Sequence, residues 1–251
     1  MTQKPFFVGF LPVPQGLRGF LAIVALVLIA AFGLTAWLIS STQTDPGDGS
    51  FRFDLGQQQL TGIIASEPYP ILHVIEGTEH VPAGHSIMLS GNGKNGTQGR
   101  TDRLDGQVVR MSGILLQRGN LDMLQMRGRP EEIDFTGDTS ELPKAVSLGR
   151  WRVAGEICDG KCLAGAMRPG TGLAHRACAN LCLEGGIPPV FVASQPIEGH
   201  EFFLLGNSDG GPVTAQLLDF TALYVSIEGE IELRGDLPVF LIDPESVVLS
   251  P

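Results

Sequence analysis

Residues 175–182 read HRACANLC, and CDGKC ends at Cys162 thirteen positions before His175. The chain has four cysteines, Cys158, Cys162, Cys178 and Cys182, so all its thiol chemistry is concentrated here. Three thiolates and an imidazole are a common tetrahedral zinc set. Cys162, His175, Cys178 and Cys182 would supply it, with Cys158 left over, although the C-x3-C spacings are wider than the usual C-x2-C knuckle. Copper and iron suit this ligand set less well. Alternatively, four exported cysteines form two disulfides, in any of three pairings. A Cys178–Cys182 bridge within one helix is badly angled. Disulfides would therefore join one of Cys158 and Cys162 to Cys178 and the other to Cys182. The third chemistry is thiol redox work, with Lys161, Arg168 and Arg176 available to favour a thiolate; no C-x-x-C motif is present. Asp159 and Glu184 flank the cysteines and can orient His175, though turn and solvated positions are their simpler reading.

The local sequence predicts how these residues are held. Thr171 can cap a helix from Leu173 to Leu183, which Gly185-Gly186 end and Pro188-Pro189 prevent from continuing. On it His175, Cys178 and Cys182 fall at i, i+3 and i+7, within about 60° of one another. The preceding loop would bring Cys162 or Cys158 to that face.

The rest of the exported part reads as strands. QLTGIIAS, HSIMLS, QVVRMSGILLQ and LDMLQM alternate or run apolar in the first half. WRVAGEI, PVFVAS, EFFLLG, LYVSIEGEIEL and PVFLID do so in the second. The halves resemble each other. GHSIMLSGN at Gly84 matches GHEFFLLGN at Gly199, and VRMSGILLQRGNL at Val109 matches VSIEGEIELRGDL at Val225. The offsets are 115 and 116, whereas LTGII and VAGEI are only 93 apart. A tandem duplication explains the match, with about 22 extra residues in the second copy between its first and second strands. Those residues carry the cysteines. Gly113 and Gly229, each inside a long strand, suggest barrel bends. The expected fold is mainly β: two tandem OB-like barrels, 51–142 and 143–251, the second with a Cys/His-containing helical insertion at 158–187. SGNGKNGTQGRTD, from Ser90, reads as a flexible polar loop.

Before the strands, Gly19–Ile39 holds no charged residue and is long enough to cross a bilayer as a helix, about 1.5 Å per residue. It predicts an uncleaved anchor over 19–40, a linker over 41–50 and a cytoplasmic segment over 1–18. Lys4 and Arg18 precede the span and no Lys or Arg follows until Arg52, which places the bulk of the chain outside. Two of the 17 basic and none of the 27 acidic residues precede residue 42, so the exterior carries 15 − 27 = −12. That balance argues against nucleic acid as a partner.

The stretch from Cys158 to Val192 resembles exported bacterial domains of unassigned function. They share a D-x-K-C start (Asp159, Lys161, Cys162), an H-x-x-C-A-x-x-C centre (His175, Cys178, Ala179, Cys182) and a G-G-I-P-P end (Gly185, Gly186, Ile187, Pro188, Pro189). The resemblance covers about 40 of the 251 residues. It implies a core of three cysteines and one histidine, with Cys158 at a position that is often apolar. A bacterial source also fits a single-pass inner-membrane protein with its C-terminal bulk in the periplasm. No C-x-x-C-H for covalent haem, G-x-S-x-G, P-loop or H-E-x-x-H occurs. The expectation is a non-catalytic binding or accessory module, membrane-bound through 19–40, whose partner is a protein of a membrane or periplasmic redox complex. A thiol-redox or metal-dependent enzyme, with zinc as the candidate cofactor, and a disulfide-stapled scaffold are the alternatives.

Overall fold

A computed structural model describes residues 14–42, 47–134 and 142–250. Two compact units separate between Asp45 and Pro46. In the first, α1 (Gln15–Thr42) is one continuous helix of 28 residues. It is longer than the expected 19–40 and takes in Arg18. It is long and apolar enough to cross a membrane. Two of its hydroxyls are satisfied within the helix: Thr35 Oγ1 donates to the Ala31 carbonyl and Ser41 Oγ to that of Leu38, both at 2.9 Å. An apolar solvent demands such internal pairing. Most of the expected cytoplasmic segment (1–13) and part of the linker (43–46) lie outside the described residues.

Among the described residues the second unit contains twelve strands in two sheets of six. The first sheet holds β1 (Ser50–Phe51), β2 (Gln58–Ala65), β3 (Ile71–Glu76), β4 (Ser86–Ser90), β5 (Val108–Arg118) and β6 (Leu121–Glu132). The second holds β7 (Ala145–Asp159), β8 (Pro189–Ile197), β9 (His200–Asn207), β10 (Tyr224–Arg234), β11 (Leu237–Ile242) and β12 (Val248–Leu249). Short helices α2 (Gln98–Thr101), α3 (Arg176–Glu184) and α4 (Thr214–Leu217) lie between strands. The pairings run β2-β3-β4-β6-β5 and return to β2; in the second sheet they run β7-β8-β9-β11-β10 and return to β7. Only β4–β6 and β9–β11 are parallel among these pairs. The extra strands differ: β1 adds to β5, and β12 adds to β10.

Alternation explains the long strands. Along β5, Val109, Met111 and Leu115 are buried, and along β10, Val225, Ile227 and Ile231 are buried. Gly113 faces Gln58 and Met126, and Gly229 faces Trp151 and Ile242. The offset is 151 − 58 = 93 for the first strands and 229 − 113 = 242 − 126 = 116 for the later ones. A side chain at Gly113 would strike the Gln125 carbonyl, and one at Gly229 the Leu241 carbonyl. The strand therefore curls at a point where only glycine lets its partner approach.

The two interiors are Leu60, Ile64, Leu72, Leu89, Leu115 and Leu124 in the first sheet, and Ile157, Phe191, Phe203, Leu205, Phe240 and Ile242 in the second. A third apolar cluster joins them. It contains Ile71, Met88, Leu121 and Met123 from one sheet, and Val190, Leu204, Leu237 and Val239 from the other. These are the same places in the two sheets, because Ile71 pairs with Met88 and Met88 with Met123, while Val190 pairs with Leu204 and Leu204 with Val239. Like faces meet, as across an isologous dimer contact.

A polar latch adds to this interface. Asp236, in the β10–β11 turn, accepts from the Ser86 amide at 2.8 Å and meets His85 Nδ1 at 2.5 Å. His85 Nε2 lies 3.3 Å from Asp122. Burial works against the imidazolium, but the hydrogen bonds and charges of Asp122 and Asp236 outweigh it and raise the His85 pKa to about 9. A raised folded-state pKa gives stability that is complete below the unfolded value near 6.5 and lost as pH rises through about 9. His85→Ala is accordingly expected to destabilise the protein by about 1–2 kcal/mol at pH 6 and by much less at pH 10, measured by denaturant unfolding of both proteins at each pH.

Candidate metal centre

The insertion occupies residues 160–188, between β7 and β8, where the first sheet has only residues 66–70. Across this connection the offset rises from 158 − 65 = 93 to 190 − 71 = 119, so 26 residues are gained where the sequence suggests about 22. The difference arises because β3 (ILHVIE) carries no clear strand signature and was not among the expected strands.

Asp159 ends β7, and its buried carboxylate organises the turn that follows. Oδ1 accepts the Cys162 amide at 2.8 Å and Oδ2 meets His175 Nε2 at 2.8 Å. Asp159 is 0% and His175 2% exposed. A wide helical turn, Cys162–Ala166, then lies against β1, and Gly165, with φ of 135°, presses on the Ser50 backbone where a side chain has no room. The chain returns through α3, whose N-cap residue is His175, with no capping hydrogen bond from its side chain. The expected start at Leu173 is therefore early by three residues. His175 falls outside the helix, and its ring turns to Asp159 instead of joining the helical face. Asp159 is thus its orienting partner, not a solvated turn residue, while Glu184 is exposed.

The structure brings together three of the four expected metal ligands. Cys162 Sγ is 3.9 Å from both Cys178 Sγ and Cys182 Sγ, and all three sulfurs lie within 4.8 Å of one another. His175 belongs to an adjoining group, in which ligand atoms of Asp159, Cys162 and His175 lie within 4.8 Å. Both groups have the composition and spacing to hold a metal ion. His175 Nδ1 is buried without a hydrogen-bond partner among the described residues.

The two-disulfide arrangement is not what this structure holds: all four thiols are free. Cys158 cannot join the cluster because it points from β7 into the apolar layer between the sheets, with its thiol 3.3 Å from Glu156. Register equates it with Ala65 of β2, so it serves as a small core side chain. Burial first, and then the neighbouring Glu156, push its thiol well above the ordinary range. The contact between Cys162 and Cys182 raises the Cys162 pKa, in the same direction as burial, and lowers that of Cys182 against the effect of burial.

Two lysines complete the site, and one comes from the other sheet. Lys94 Nζ reaches Cys178 Sγ at 2.7 Å, its carbonyl at 3.2 Å and Cys182 Sγ at 3.6 Å. In exchange Lys161, only 3% exposed, donates to the carbonyls of Gly91 and Gly93 at 2.5 and 2.8 Å. The Gly96 amide bonds the Gly185 carbonyl at 2.7 Å, and Gln98 Nε2 that of Gly186 at 2.8 Å. The stretch expected to be a flexible polar loop therefore grips both ends of the insertion. Sequence reasoning missed Lys94 entirely. The only local signal was glycine at 91, 93 and 96, which permits close backbone approach. Neither family models, curated proteins nor solved structures match this chain.

Cys178 is partly exposed, and Cys158, Cys162 and Cys182 are buried. Brief alkylation of the reduced native protein is expected to label Cys178 first, and Cys158 only on unfolding, as read by mass spectrometry of peptides. Asp159→Ala strips a partner from both His175 and the Cys162 amide, and is expected to cost about 2–3 kcal/mol in thermal or denaturant unfolding.

Proposed function

We propose that this protein is a membrane-anchored accessory module whose working part is a thiolate metal centre formed by Cys162, Cys178 and Cys182. The observation that carries the reading is the convergence of three sulfurs. Bonds of about 2.3 Å in a tetrahedron put sulfurs about 3.8 Å apart, close to the separations of Cys162 from its two neighbours. Zinc is the ion this set suits best. Asp159 and His175 then act from outside the coordination sphere, fixing the turn that presents Cys162. Lys94 offsets the negative charge that three thiolates leave on a divalent ion. The two sheets are read as OB-type barrels, on the support of their closed pairing order and single parallel contact, and as products of one duplication. The resemblance to exported bacterial domains, the apolar helix and the basic residues before it support an inner-membrane anchor with the thiolate centre in the periplasm. Association with a membrane or periplasmic redox complex follows from that placement, and co-purification in mild detergent tests it.

A second reading, thiol–disulfide chemistry, is favoured by one observation: partly exposed Cys178 stands 3.9 Å from buried Cys162. Both readings are tested on the full-length protein in detergent, purified under anaerobic reducing conditions. Competition with a chromophoric chelator is expected to show one zinc ion per chain. Cys162→Ser, Cys178→Ser and Cys182→Ser should each weaken binding by more than the roughly 10–100-fold that outer-shell changes cost, while Cys158→Ala binds as the parent does. Four free thiols with no zinc uptake would overturn the metal reading. A native Cys162–Cys178 disulfide would replace it with the redox one.

A further inference from the structure

The three sulfurs do not face a closed shell. Cys162, Cys178 and Cys182 all line one open cavity of about 300 Å³ between the insertion and the first sheet. Its other walls include Phe51, Met167 and Gln125. Its charged lining residues among the described ones are Lys94 and Lys161, with neither Asp nor Glu, in a chain of net charge −10. His175 is not among the lining residues, and its Nε2 is committed to Asp159.

Structural zinc sites are closed by four protein ligands, whereas sites that bind a further ligand keep a position open. Here the protein offers three thiolates, and the side they leave uncovered is a cavity at the low end of small-molecule pockets. An ammonium at 2.7 Å from one of the sulfurs marks the rim of that space. Apart from the sulfurs themselves, the charged side chains that an incoming group meets here are both ammonium groups, which favour an anion.

On the metal reading above, we infer that the centre keeps its fourth position for a small anionic ligand from solution, a thiolate or carboxylate that fits this cavity and is held at its rim by Lys94. The site is then composite: the second sheet supplies the thiolates and the first supplies the cation that selects the ligand. The ion exchanges a weakly held fourth group for the ligand: a carboxylate enters as the anion, and a thiol gives its S–H proton to solvent as its sulfur binds.

The test uses the full chain in detergent, loaded anaerobically with one equivalent of cobalt(II), whose visible and thiolate charge-transfer bands report its coordination. Acetate, 2-mercaptoethanol and 3-mercaptopropionate are titrated separately, so that carboxylate and thiolate donors are distinguished. Saturable change in the bands with any of the three supports the inference, and 3-mercaptopropionate is expected to bind most tightly. Lys94→Met, compared at full cobalt occupancy, is expected to weaken that binding about tenfold. Lys94→Arg, which keeps the charge, is expected to retain it and so separates loss of charge from loss of fold. Bound cobalt with bands that none of the three alters overturns the inference while leaving the metal centre standing. Failure to take up cobalt or zinc overturns both.

Discussion

Lys161 is a cation with almost no access to solvent, and the architecture around the cysteines depends on how that charge is satisfied. An ammonium taken out of water is costly unless oxygens surround it. Its oxygens are the carbonyls of Gly91 and Gly93, which belong to the other sheet. Burial lowers the Lys161 pKa, and nearby Cys182, Cys162 and Asp159 oppose that drift. The charge is stable where it is only if the 91–98 stretch stays wrapped over the insertion. Once that stretch is fixed, Lys94 is delivered to Cys178, the end of α3 is tied through Gly185 and Gly186, and the cavity acquires its second wall. A long connection with a small apolar cluster of its own, Cys162, Cys182 and Ile187, is thus held by a neighbour's backbone instead of by covalent staples.

Much of this was legible in the sequence. Period-two alternation in VRMSGILLQ and VSIEGEIEL is a local property, so the long strands and their central glycines could be read directly. β3 could not, because ILHVIE is buried without alternation over its first four residues. The position of the insertion followed from the change of offset, and the common direction of Cys178 and Cys182 followed from helical spacing. His175 broke the pattern because a shift of helix start by three residues moves a side chain from the helical face to the loop. Helix ends are the least certain part of any such reading.

What no local pattern held was the contact between the copies. Lys94 and Cys178 are 84 residues apart, and nothing in SGNGKNG distinguishes a clamp from a solvated turn. The latch of His85 on Asp236 spans 151 residues and was equally invisible. Free thiols in place of disulfides belong to the same class. The number and spacing of cysteines allow either, and the choice is made by which sulfurs the tertiary structure turns towards one another.

The meeting of like faces between the sheets has a genealogical consequence. Ile71 and Val190, Met88 and Leu204, and Met123 and Val239 hold equivalent places within one shared cluster, as expected if two identical chains once associated face to face and were later joined end to end. A symmetric ancestor carrying the insertion would have had it twice, each copy gripped by the other's loop. On that history, fusion would have let the two halves specialise, one carrying the cysteines and the other the loop that covers them. A change in the stretch at 91–98 is then inherited as a change in the surroundings of the cysteines at 162–182.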